Sequence, residues 1–412
     1  MMAAAPDNLI AALDIGSSKV ATIIARVGED GQLEVVGSGQ HQSRGIKRGA
    51  IVDMDAAETV VRETMDQAER KNALAIDEVW AGFAAGGLTS DVATVEVELG
   101  GQQVEEGDIA ALLEAGRGSL DREGQVVLHA QPALYTLDGV EGVKNPRGLH
   151  AEKLGVDIHV IAADLAPFKN LDYVIRSAHL GVGAIIAAPL ASARACLSKD
   201  ERDLGVALVE LGADMTSVSL HVGGMLVAMR TLPVGARDIS EDIAMAFGVS
   251  RRDAERMKCR YGSANLSPSD NHEMIDAEIG EDGEPVRISQ AQLITVIRQR
   301  LEELAGEIDT ALKSLGFGGP VKRQVVLTGG GAELKNVDDY LQGVLGHRVR
   351  IGRPRKVRGL PEAQRGPAFS SLVGLLLLAA ESGEGSDDIA VPTRRRRRGG
   401  LVDRLLGALR GG

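Results

Sequence analysis

A short turn near the start of the chain combines residue types that suit a phosphate group. The apolar run 9–13 predicts a buried strand, and the run 20–24 predicts its hairpin partner. The turn between them contains, in order, Asp14, Gly16, Ser17, Ser18 and Lys19. Gly16 lets backbone N–H groups approach an anion, and the hydroxyls and the ammonium add donors and charge. Asp14 is placed to hold Mg²⁺ through water. An ordinary tight turn is the alternative.

A second stretch, residues 206–212, repeats this outline about half a chain later. An apolar run ends at Glu210, Gly212 follows two residues on, and a β-branched run returns at 218–222. Internal repetition of this kind indicates two related lobes with a ligand between them. The longer Glu210 side chain can still reach the waters of a Mg²⁺ ion, so we expect it to share the ion with Asp14.

A third stretch places glycines between a predicted strand and a predicted helix. Residues 325–328 read Val-Val-Leu-Thr, and residues 337–344 have a helical pattern. The glycines at the junction are Gly329, Gly330 and Gly331. Glycines at such a junction let a nucleotide lie against bare backbone. We therefore expect this loop to meet the nucleoside part of the ligand.

Three further features carry a family resemblance. The most specific is the stretch His129-Ala130-Gln131-Pro132-Ala133-Leu134-Tyr135-Thr136-Leu137-Asp138, followed by Gly142-Val143-Lys144-Asn145-Pro146-Arg147-Gly148-Leu149. The others are Gly45-Ile46-Lys47-Arg48-Gly49-Ala50-Ile51-Val52-Asp53 and a basic, amphipathic C-terminus. Together with the two hairpins, these features resemble the FtsA family of bacterial cell-division proteins, within the actin, Hsp70 and sugar-kinase superfamily.

The resemblance implies an α/β fold with two actin-like lobes, duplicated ATPase-type domains and an FtsA-type inserted subdomain. The first lobe is expected at 1–83 with 164–198 and about 366–382, the insert at 84–163, and the second lobe at 199–365. Within the second lobe, a small subdomain is expected at about 236–300. The polar, glycine-containing segment 267–285 predicts a flexible loop there.

The resemblance also implies ATP and Mg²⁺ as ligands, with Glu255 and Lys258 in the positions of the ribose and adenine contacts. Hydrolysis requires a polar group that orients water. In hydrolysing relatives such a group stands where this chain has Ala187-Ala188-Pro189. The second hairpin also departs from the usual pattern, with Asp214 and Met215 in place of Gly and Thr. We therefore expect turnover to be slow or absent.

Charge is distributed unevenly along the 412 residues. The net charge is −12, which argues against nucleic acid as a partner. From Arg394 onward the chain contains seven Arg and one Asp, a net charge of +6, which leaves −18 on the rest. The two cysteines, Cys196 and Cys259, form no disulfide framework, and without a signal peptide we expect a cytoplasmic protein. The apolar run 372–380 is too short to span a membrane.

The C-terminal segment predicts a membrane-surface helix on a tether. Residues 383–400 lack apolar periodicity and are expected to form a disordered basic linker, and residues 401–410 an amphipathic helix. The residues on its apolar face are Leu401, Val402, Leu405, Leu406 and Leu409. Five arginines before the helix favour an anionic membrane surface as its partner. A helix that docks on the body of the protein is the alternative.

The resemblance implies an adaptor that tethers the FtsZ ring to the cytoplasmic membrane. It would lie at the cytoplasmic face of the inner membrane at the division site, assemble head-to-tail, bind the FtsZ C-terminal tail and help recruit later division proteins. Charge complementarity to that acidic tail suggests Arg251, Arg252, Arg298 and Arg300 as its contacts. The alternatives are an actin-like pilus-assembly ATP-binding protein and a sugar-kinase or Hsp70-like ATPase. His129 and His159 lack partners at metal-ligand spacing, which favours a structural role.

Overall fold

A computed structural model of the chain describes residues 8–70, 72–118, 123–143, 145–279, 284–317 and 323–382. The N-terminal part forms most of one lobe. Its elements are β1 (Leu9–Ile15), β2 (Lys19–Val27), β3 (Leu33–Gln42), β4 (Ile46–Lys47), β5 (Ala50–Ile51), α1 (Met54–Arg70) and β6 (Glu78–Phe83). The apolar positions of α1 recur at helical spacing and pack on the sheet, while Asp53 Oδ1 caps the helix by accepting a hydrogen bond from Ala56 N, 3.1 Å away.

A separate four-stranded sheet follows. Its elements are β7 (Thr89–Glu98), α2 (Glu106–Gly118), β8 (Gln125–Leu137), β9 (Val140–Val143) and β10 (Lys153–Asp164). The strand order is β7-β10-β8-β9, and all neighbouring pairs are antiparallel. This sheet buries its own aliphatic cluster, which includes Leu112, Leu154 and Ile158. The segment from His129 to Leu137 therefore forms a strand of an inserted subdomain.

The chain then returns to the first lobe and crosses to the second. The elements of this passage are α3 (Leu165–Ser177), β11 (Gly181–Ala187), α4 (Ala188–Cys196) and α5 (Lys199–Leu204). Strand β11 completes the first sheet, whose order is β11-β6-β1-β2-β3. Helix α4 begins directly where β11 ends, with Pro189 in its first turn, where a missing backbone N–H costs nothing.

The second lobe contains the elements that follow. They are β12 (Val206–Leu211), β13 (Thr216–Val222), β14 (Met225–Leu232), α6 (Ala236–Phe247), α7 (Arg251–Tyr261), β15 (Met274–Ile279), β16 (Glu284–Ser289), α8 (Gln290–Ser314), β17 (Gln324–Thr328), α9 (Val337–Leu345) and β18 (Arg348–Ile351). The last described helix, α10 (Ser370–Ser382), packs against α4 and on β1, β2 and β6 of the first sheet. The second sheet has the order β14-β13-β12-β17-β18. No helix within these described ranges is both long and apolar enough to cross a bilayer.

The two large sheets repeat one topology, which confirms the predicted two-lobed α/β fold. In each sheet an antiparallel meander (β1-β2-β3 or β12-β13-β14) is extended by two parallel strands (β6 and β11, or β17 and β18). Asp14 pairs with Ala21 on one side and Gly82 on the other, and Glu210 pairs with Ser217 and Thr328. The two acids thus occupy equivalent positions in the two lobes.

Helices α4 and α10 connect the lobes through a shared aliphatic core. Gly374 of α10 lies so close to α4 that an added Cβ would be 1.8 Å from the carbonyl oxygen of Ala191. The surrounding cluster includes Ile23 from the first sheet and Leu208 from the second. Because protein cores are closely packed, this junction fixes how the two acid-bearing hairpins face each other.

The prediction of a flexible loop at 267–285 is wrong for residues 267–279 and 284–285, and residues 280–283 lie outside the described residues. The segment contains a short 3₁₀ turn, Pro268–Asn271, and then β15, which pairs with β16 as an antiparallel hairpin. Ile275 and Ala277 alternate inward and join the core of the second lobe together with Ile288. This two-residue period was the available signal for a strand, and the polar residues between the buried positions obscured it.

Candidate functional site

A cleft between the two lobes contains all twelve residues predicted to bind the nucleotide or its metal ion. The residues are Asp14, Gly16, Ser17, Ser18, Lys19, Glu210, Gly212, Glu255, Lys258, Gly329, Gly330 and Gly331. The cleft has a volume of about 1660 Å³, well above the roughly 300–1,000 Å³ common for small-molecule pockets. Its size and position therefore suit a nucleotide, although the role of each residue stays a prediction.

The first hairpin has the compact form expected of an anion-binding turn. Gly16 N donates to Lys19 O over 3.0 Å, and an added Cβ on Gly16 would press against that same oxygen. Ser17 Oγ accepts a hydrogen bond from Gly49 N at 2.9 Å. The stretch from Gly45 to Asp53 therefore holds the turn in place through this contact. The Lys19 ammonium lies 4.5 Å from the centre of the Phe369 ring, which holds it at the floor of the cleft.

The two equivalent acids lie in a poorly solvated part of the cleft. Burial raises the pKa of the Glu210 carboxyl to about 7, and the neighbouring charge of Asp14 acts in the same direction. Burial likewise raises the pKa of Asp14, while Lys19 opposes that rise. The Ser192 hydroxyl lies near enough to Glu210 to oppose the rise of its pKa, but Glu210 Oε2 forms no hydrogen bond of standard geometry among the described residues. A carboxylate oxygen in that condition fits a hydrated Mg²⁺ ion, which would supply both the donors and the positive charge.

The three glycines of the loop after β17 have different structural roles. Gly329 has a φ of 86°, and an added Cβ would lie 2.4 Å from Leu211 O. An added Cβ on Gly331 would lie 2.3 Å from Leu211 Cγ, so both glycines allow the loop to pack on β12. Gly330 is exposed to the cleft, and its added Cβ would meet only Ala368 Cβ, at 3.9 Å. Gly330 is therefore the position where bare backbone faces the ligand space.

Glu255 and Lys258 lie on the cleft-facing side of α7. Lys258 is buried, and its Nζ donates to Ala236 O at 2.8 Å and to Glu255 Oε2 at 2.7 Å. Burial alone would raise the pKa of the Glu255 carboxyl, but the Lys258 ammonium and hydrogen bonds from Lys258, Ser240 and Cys259 bring it below its ordinary value. The pair therefore offers a charged acceptor, suited to ribose hydroxyls, near the loop glycines.

Two residues that were not predicted as site residues connect the lobes at the hairpins. Asp214 Oδ2 accepts a hydrogen bond from Arg48 N at 2.8 Å, across the cleft. Arg237 forms an ion pair with Asp214 at 3.1 Å, and its Nη2 donates to Ser17 O at 2.7 Å. Asp214 stands out in the sequence, because it replaces the glycine that the family resemblance leads us to expect in this turn. Arg237 stands in no recognised motif, and only the fold brings it to the site.

The position where hydrolysing relatives carry a polar residue is apolar here, as the sequence states. Ala187 precedes α4, and Ala188 and Pro189 line the cleft at the start of that helix.

His129 Nε2 accepts a hydrogen bond from Ala187 N, and His159 Nε2 lies 2.8 Å from Ser90 Oγ. Burial lowers the pKa of both histidines to about 4, so both rings are neutral at pH 7. In the described part of the chain, no three His, Cys, Asp or Glu side chains gather to hold a metal ion.

The four predicted partner arginines do not form one cluster. Arg251 and Arg252 lie at the start of α7 and line the mouth of the cleft, whereas Arg298 and Arg300 lie on α8. Helix α6 lies between the two pairs, since Glu241 binds Arg251 at 2.8 Å and Asp242 binds Arg300 at 2.6 Å. The five predicted membrane residues, Leu401, Val402, Leu405, Leu406 and Leu409, lie outside the described residues, as does the linker.

Comparison with solved structures shows the same fold in distant proteins. The chain superposes with a TM-score of 0.63 on a chain of the PilM-PilN type IV pilus biogenesis complex, at 19% identity over 90% of this chain and 98% of that one. MreB5 of Spiroplasma citri bound to ADP gives a TM-score of 0.55 at 13% identity, over 92% and 99% of the two chains. At these identities the likeness establishes an actin-like fold.

Sequence comparison identifies the family. A model for "Cell division protein FtsA" matches residues 207–374, and one for "SHS2 domain inserted in FTSA" matches residues 86–162. Cell division protein FtsA of Agrobacterium fabrum (strain C58) is 37% identical over 383 residues, which cover 90% of this chain and 86% of that protein. The Escherichia coli (strain K12) protein of the same name is 30% identical over 93% of both. The chain therefore belongs to the FtsA family of cell-division proteins.

Proposed function

We propose that this chain is an ATP-binding, actin-like adaptor that tethers the FtsZ ring to the cytoplasmic membrane. The observation that supports nucleotide binding most strongly is that Asp14 and Glu210 occupy equivalent strand positions in the two lobes. In addition, one carboxylate oxygen of Glu210 has no hydrogen-bond partner of standard geometry among the described residues. The Gly330 backbone borders the same cleft. In this proposal the two carboxylates hold hydrated Mg²⁺, which would neutralise charge on the phosphates, and the glycine loop receives the adenosine.

The same cleft supports binding more than hydrolysis. Catalysis of phosphoryl transfer to water depends on a group that places the attacking water. Ala188 and Pro189 provide no such group at the start of α4. Steady-state phosphate release from Mg·ATP should therefore fall well below about one turnover per second, the low end of ordinary enzyme rates. Turnover at or above that rate would contradict a purely structural and regulatory role for ATP.

Membership of the FtsA family supports cell division over the pilus-assembly and kinase alternatives. The likeness to the PilM-PilN chain, at 19% identity, concerns the fold alone. The charge of the C-terminal segment supports the membrane part of the proposal, since +6 is concentrated after residue 393 in a chain of net charge −12. We further propose a peripheral position at the cytoplasmic face of the inner membrane, at the division site, with head-to-tail assembly and contacts to later division proteins.

Liposome co-sedimentation tests the adaptor role directly. The full chain and a chain that ends at Val391 are each mixed with anionic vesicles, with and without FtsZ. We expect the full chain to pellet and to carry FtsZ with it, and the shortened chain to remain in the supernatant with FtsZ. If the shortened chain recruits FtsZ to vesicles as well as the full chain does, the tether lies elsewhere and this proposal fails.

The FtsZ tail is proposed to dock on the small subdomain of the second lobe, around α6, α7 and the start of α8. An acidic peptide suits the exposed side chains of Arg251 and Arg252 there, and it would compete with Glu241 for Arg251. The test uses two double variants. One combines Arg251→Glu with Arg252→Glu, and the other combines Arg298→Glu with Arg300→Glu. Because Arg300 binds Asp242, the second double needs a stability control, and Arg298→Glu alone supplies the matched variant. Unchanged peptide affinity in both doubles would rule out this surface.

A further inference from the structure

Two polar contacts cross the cleft at its phosphate hairpins. Arg48 N, from the first lobe, donates to Asp214 Oδ2 in the turn of the second hairpin, at 2.8 Å. Arg237 Nη2, from the start of α6 in the second lobe, donates to Ser17 O in the turn of the first hairpin, at 2.7 Å. Arg237 also binds Asp214 through an ion pair of 3.1 Å. The two turns are therefore connected through one carboxylate and one guanidinium.

The Asp214 carboxylate has the surroundings of a bound anion. The residue is only 8% exposed, and its oxygens accept from a backbone N–H and from a guanidinium, the donor types that bind phosphate oxygens. It lies at the contact between the two hairpin turns and lines the same cleft as the glycine loop. A terminal phosphate that reached this point would meet a fixed negative charge and donors that are already engaged.

We infer that Asp214 and Arg237 together set the preference of this cleft between nucleoside diphosphates and triphosphates. Asp214 occupies the donors that would otherwise receive a terminal phosphate, and Arg237 must shift from the carboxylate toward that phosphate when a triphosphate binds. A diphosphate ends before it reaches the pair, so its affinity depends little on either residue. The inference rests on the proposed nucleotide site and adds to it the residues that select phosphate number.

The two substitutions should have opposite effects on triphosphate affinity. Asp214→Asn keeps an acceptor for Arg48 N, removes the negative charge and releases Arg237. It should raise ATP affinity about tenfold, because one unit charge near the terminal phosphate is lost. Arg237→Ala leaves Asp214 unpaired beside the phosphate and should lower ATP affinity about tenfold or more. If the link between Asp214 and Arg237 only held the two lobes together, either substitution would break it. Both variants would then change ATP affinity in the same direction.

Equilibrium binding by the full chain measures both effects. Mg·ATP, a non-hydrolysable triphosphate analogue and Mg·ADP are titrated into the parent, Asp214→Asn, Arg237→Ala and the double variant. Arg230→Ala is the matched control, because its guanidinium is exposed on β14 and binds Ser314 Oγ away from the cleft. Thermal unfolding checks each protein. If Arg237→Ala does not fold, the near-isosteric Asp214→Asn still decides the question through its ratio of ATP to ADP affinity.

We expect that ratio to rise in Asp214→Asn, to fall in Arg237→Ala and to stay unchanged in Arg230→Ala. Equal changes for ATP and ADP, or changes in the same direction for both cleft variants, would overturn the inference. If the parent binds both nucleotides and the ratio is constant in every variant, the inference fails while the proposed nucleotide site stands. If the parent binds neither nucleotide, the inference and the proposed site fail together.

Discussion

The Nε2 atom of His129 accepts a hydrogen bond from the backbone N of Ala187, 3.1 Å away. This contact joins the inserted subdomain to the start of α4, the helix that connects the two lobes. Burial lowers the pKa of the His129 ring to about 4, and the nearby His159 acts in the same direction. A proton added to Nε2 would remove the acceptor and bury a charge, so the contact exists only with the neutral ring.

Acidification should therefore destabilise the protein through His129. Its folded-state pKa of about 4 lies below the ordinary value of 6.5, so the unfolded chain binds the proton first as the pH falls. The stabilising contribution is complete above pH 6.5 and is lost as the pH falls toward 4, at up to about 1.4 kcal/mol per pH unit. His129→Gln keeps an acceptor without this titration. Urea unfolding at pH 7, 6 and 5 should give a shallower decrease for the variant.

His150→Gln is the matched control for that comparison, because His150 is exposed. This variant should keep the pH dependence of the parent. His159 and His221 are also buried, with pKa values lowered to about 4 and about 3, and they remain in every variant. Identical slopes for the parent and His129→Gln would show that the Ala187 contact tolerates the charged ring.

Gly330→Asp should abolish nucleotide binding while the fold persists. The added Cβ meets only Ala368 Cβ at 3.9 Å, so the substitution causes no clash within the protein. Its carboxylate would project into the ligand space and repel phosphates, which we expect to lower ATP affinity at least about tenfold, or about 1.4 kcal/mol. Gly343→Asp, on the outer helix α9 with open space around it, controls for the loss of glycine. ATP affinity equal to that of the parent would refute the assignment of this loop.

Arg300→Ala should destabilise the second lobe. Arg300 binds Asp242 through two hydrogen bonds, Nε to Oδ2 at 2.6 Å and Nη2 to Oδ1 at 2.8 Å, and thereby joins α8 to α6. Both side chains are partly buried, so removal of the guanidinium leaves the Asp242 carboxylate without its partner between the two helices. We expect a loss of about 1.5–3 kcal/mol in the free energy of unfolding.

Asp242→Asn in the Arg300→Ala background provides the control for that prediction. If the cost comes from the stranded charge, the neutral amide should recover part of the lost stability. Urea unfolding of the parent, the single variant and the double variant gives the comparison. A double variant that is less stable than Arg300→Ala would show that lost packing, and not the unpaired charge, accounts for the effect.

The residues that repeat within the sequence were the ones that predicted the fold. Asp14 and Glu210 each follow an apolar run and precede a glycine by two residues, and the structure gives them equivalent partners in the two sheets. Local patterns of this kind need no knowledge of distant contacts. Residues 274–279 show the limit, because their inward positions are separated by acidic residues and the strand is stable only with its hairpin partner and the core beneath it.

The cleft was predictable where glycines and acids mark strand ends, but its cross-lobe contacts were not. Arg237 and Ser17 are 220 residues apart, and Arg48 and Asp214 are 166 residues apart. No spacing rule connects such residues, since their proximity depends on how α4 and α10 set the two lobes. Likewise, nothing in the sequence indicates that Arg300 pairs with Asp242, so the sequence alone suggests Arg300 as an open partner site.

The C-terminal helix expected at 401–410 should bind a membrane surface weakly as a monomer, an expectation from sequence because residues after 382 lie outside those described. Its five aliphatic side chains should contribute on the order of 1 kcal/mol each at a membrane surface. The five preceding arginines add about 1 kcal/mol each at an anionic surface. Helix folding and chain confinement oppose these terms, so a monomer should bind at roughly micromolar to sub-millimolar affinity. Assembly would strengthen binding by linking many tails.

Leu405→Glu should release the protein from anionic vesicles without a change in ATP or FtsZ binding. The substitution puts a charge in the centre of the apolar face. Gly407→Glu is its control, since it adds the same charge on the opposite side of the helix. Raising the ionic strength from about 0.15 to 1 M shortens the Debye length from about 8 to 3 Å and should weaken the binding of the parent steeply. A Leu405→Glu protein that pellets with vesicles as the parent does would exclude this helix as the anchor, and the membrane part of the proposed function would fail with it.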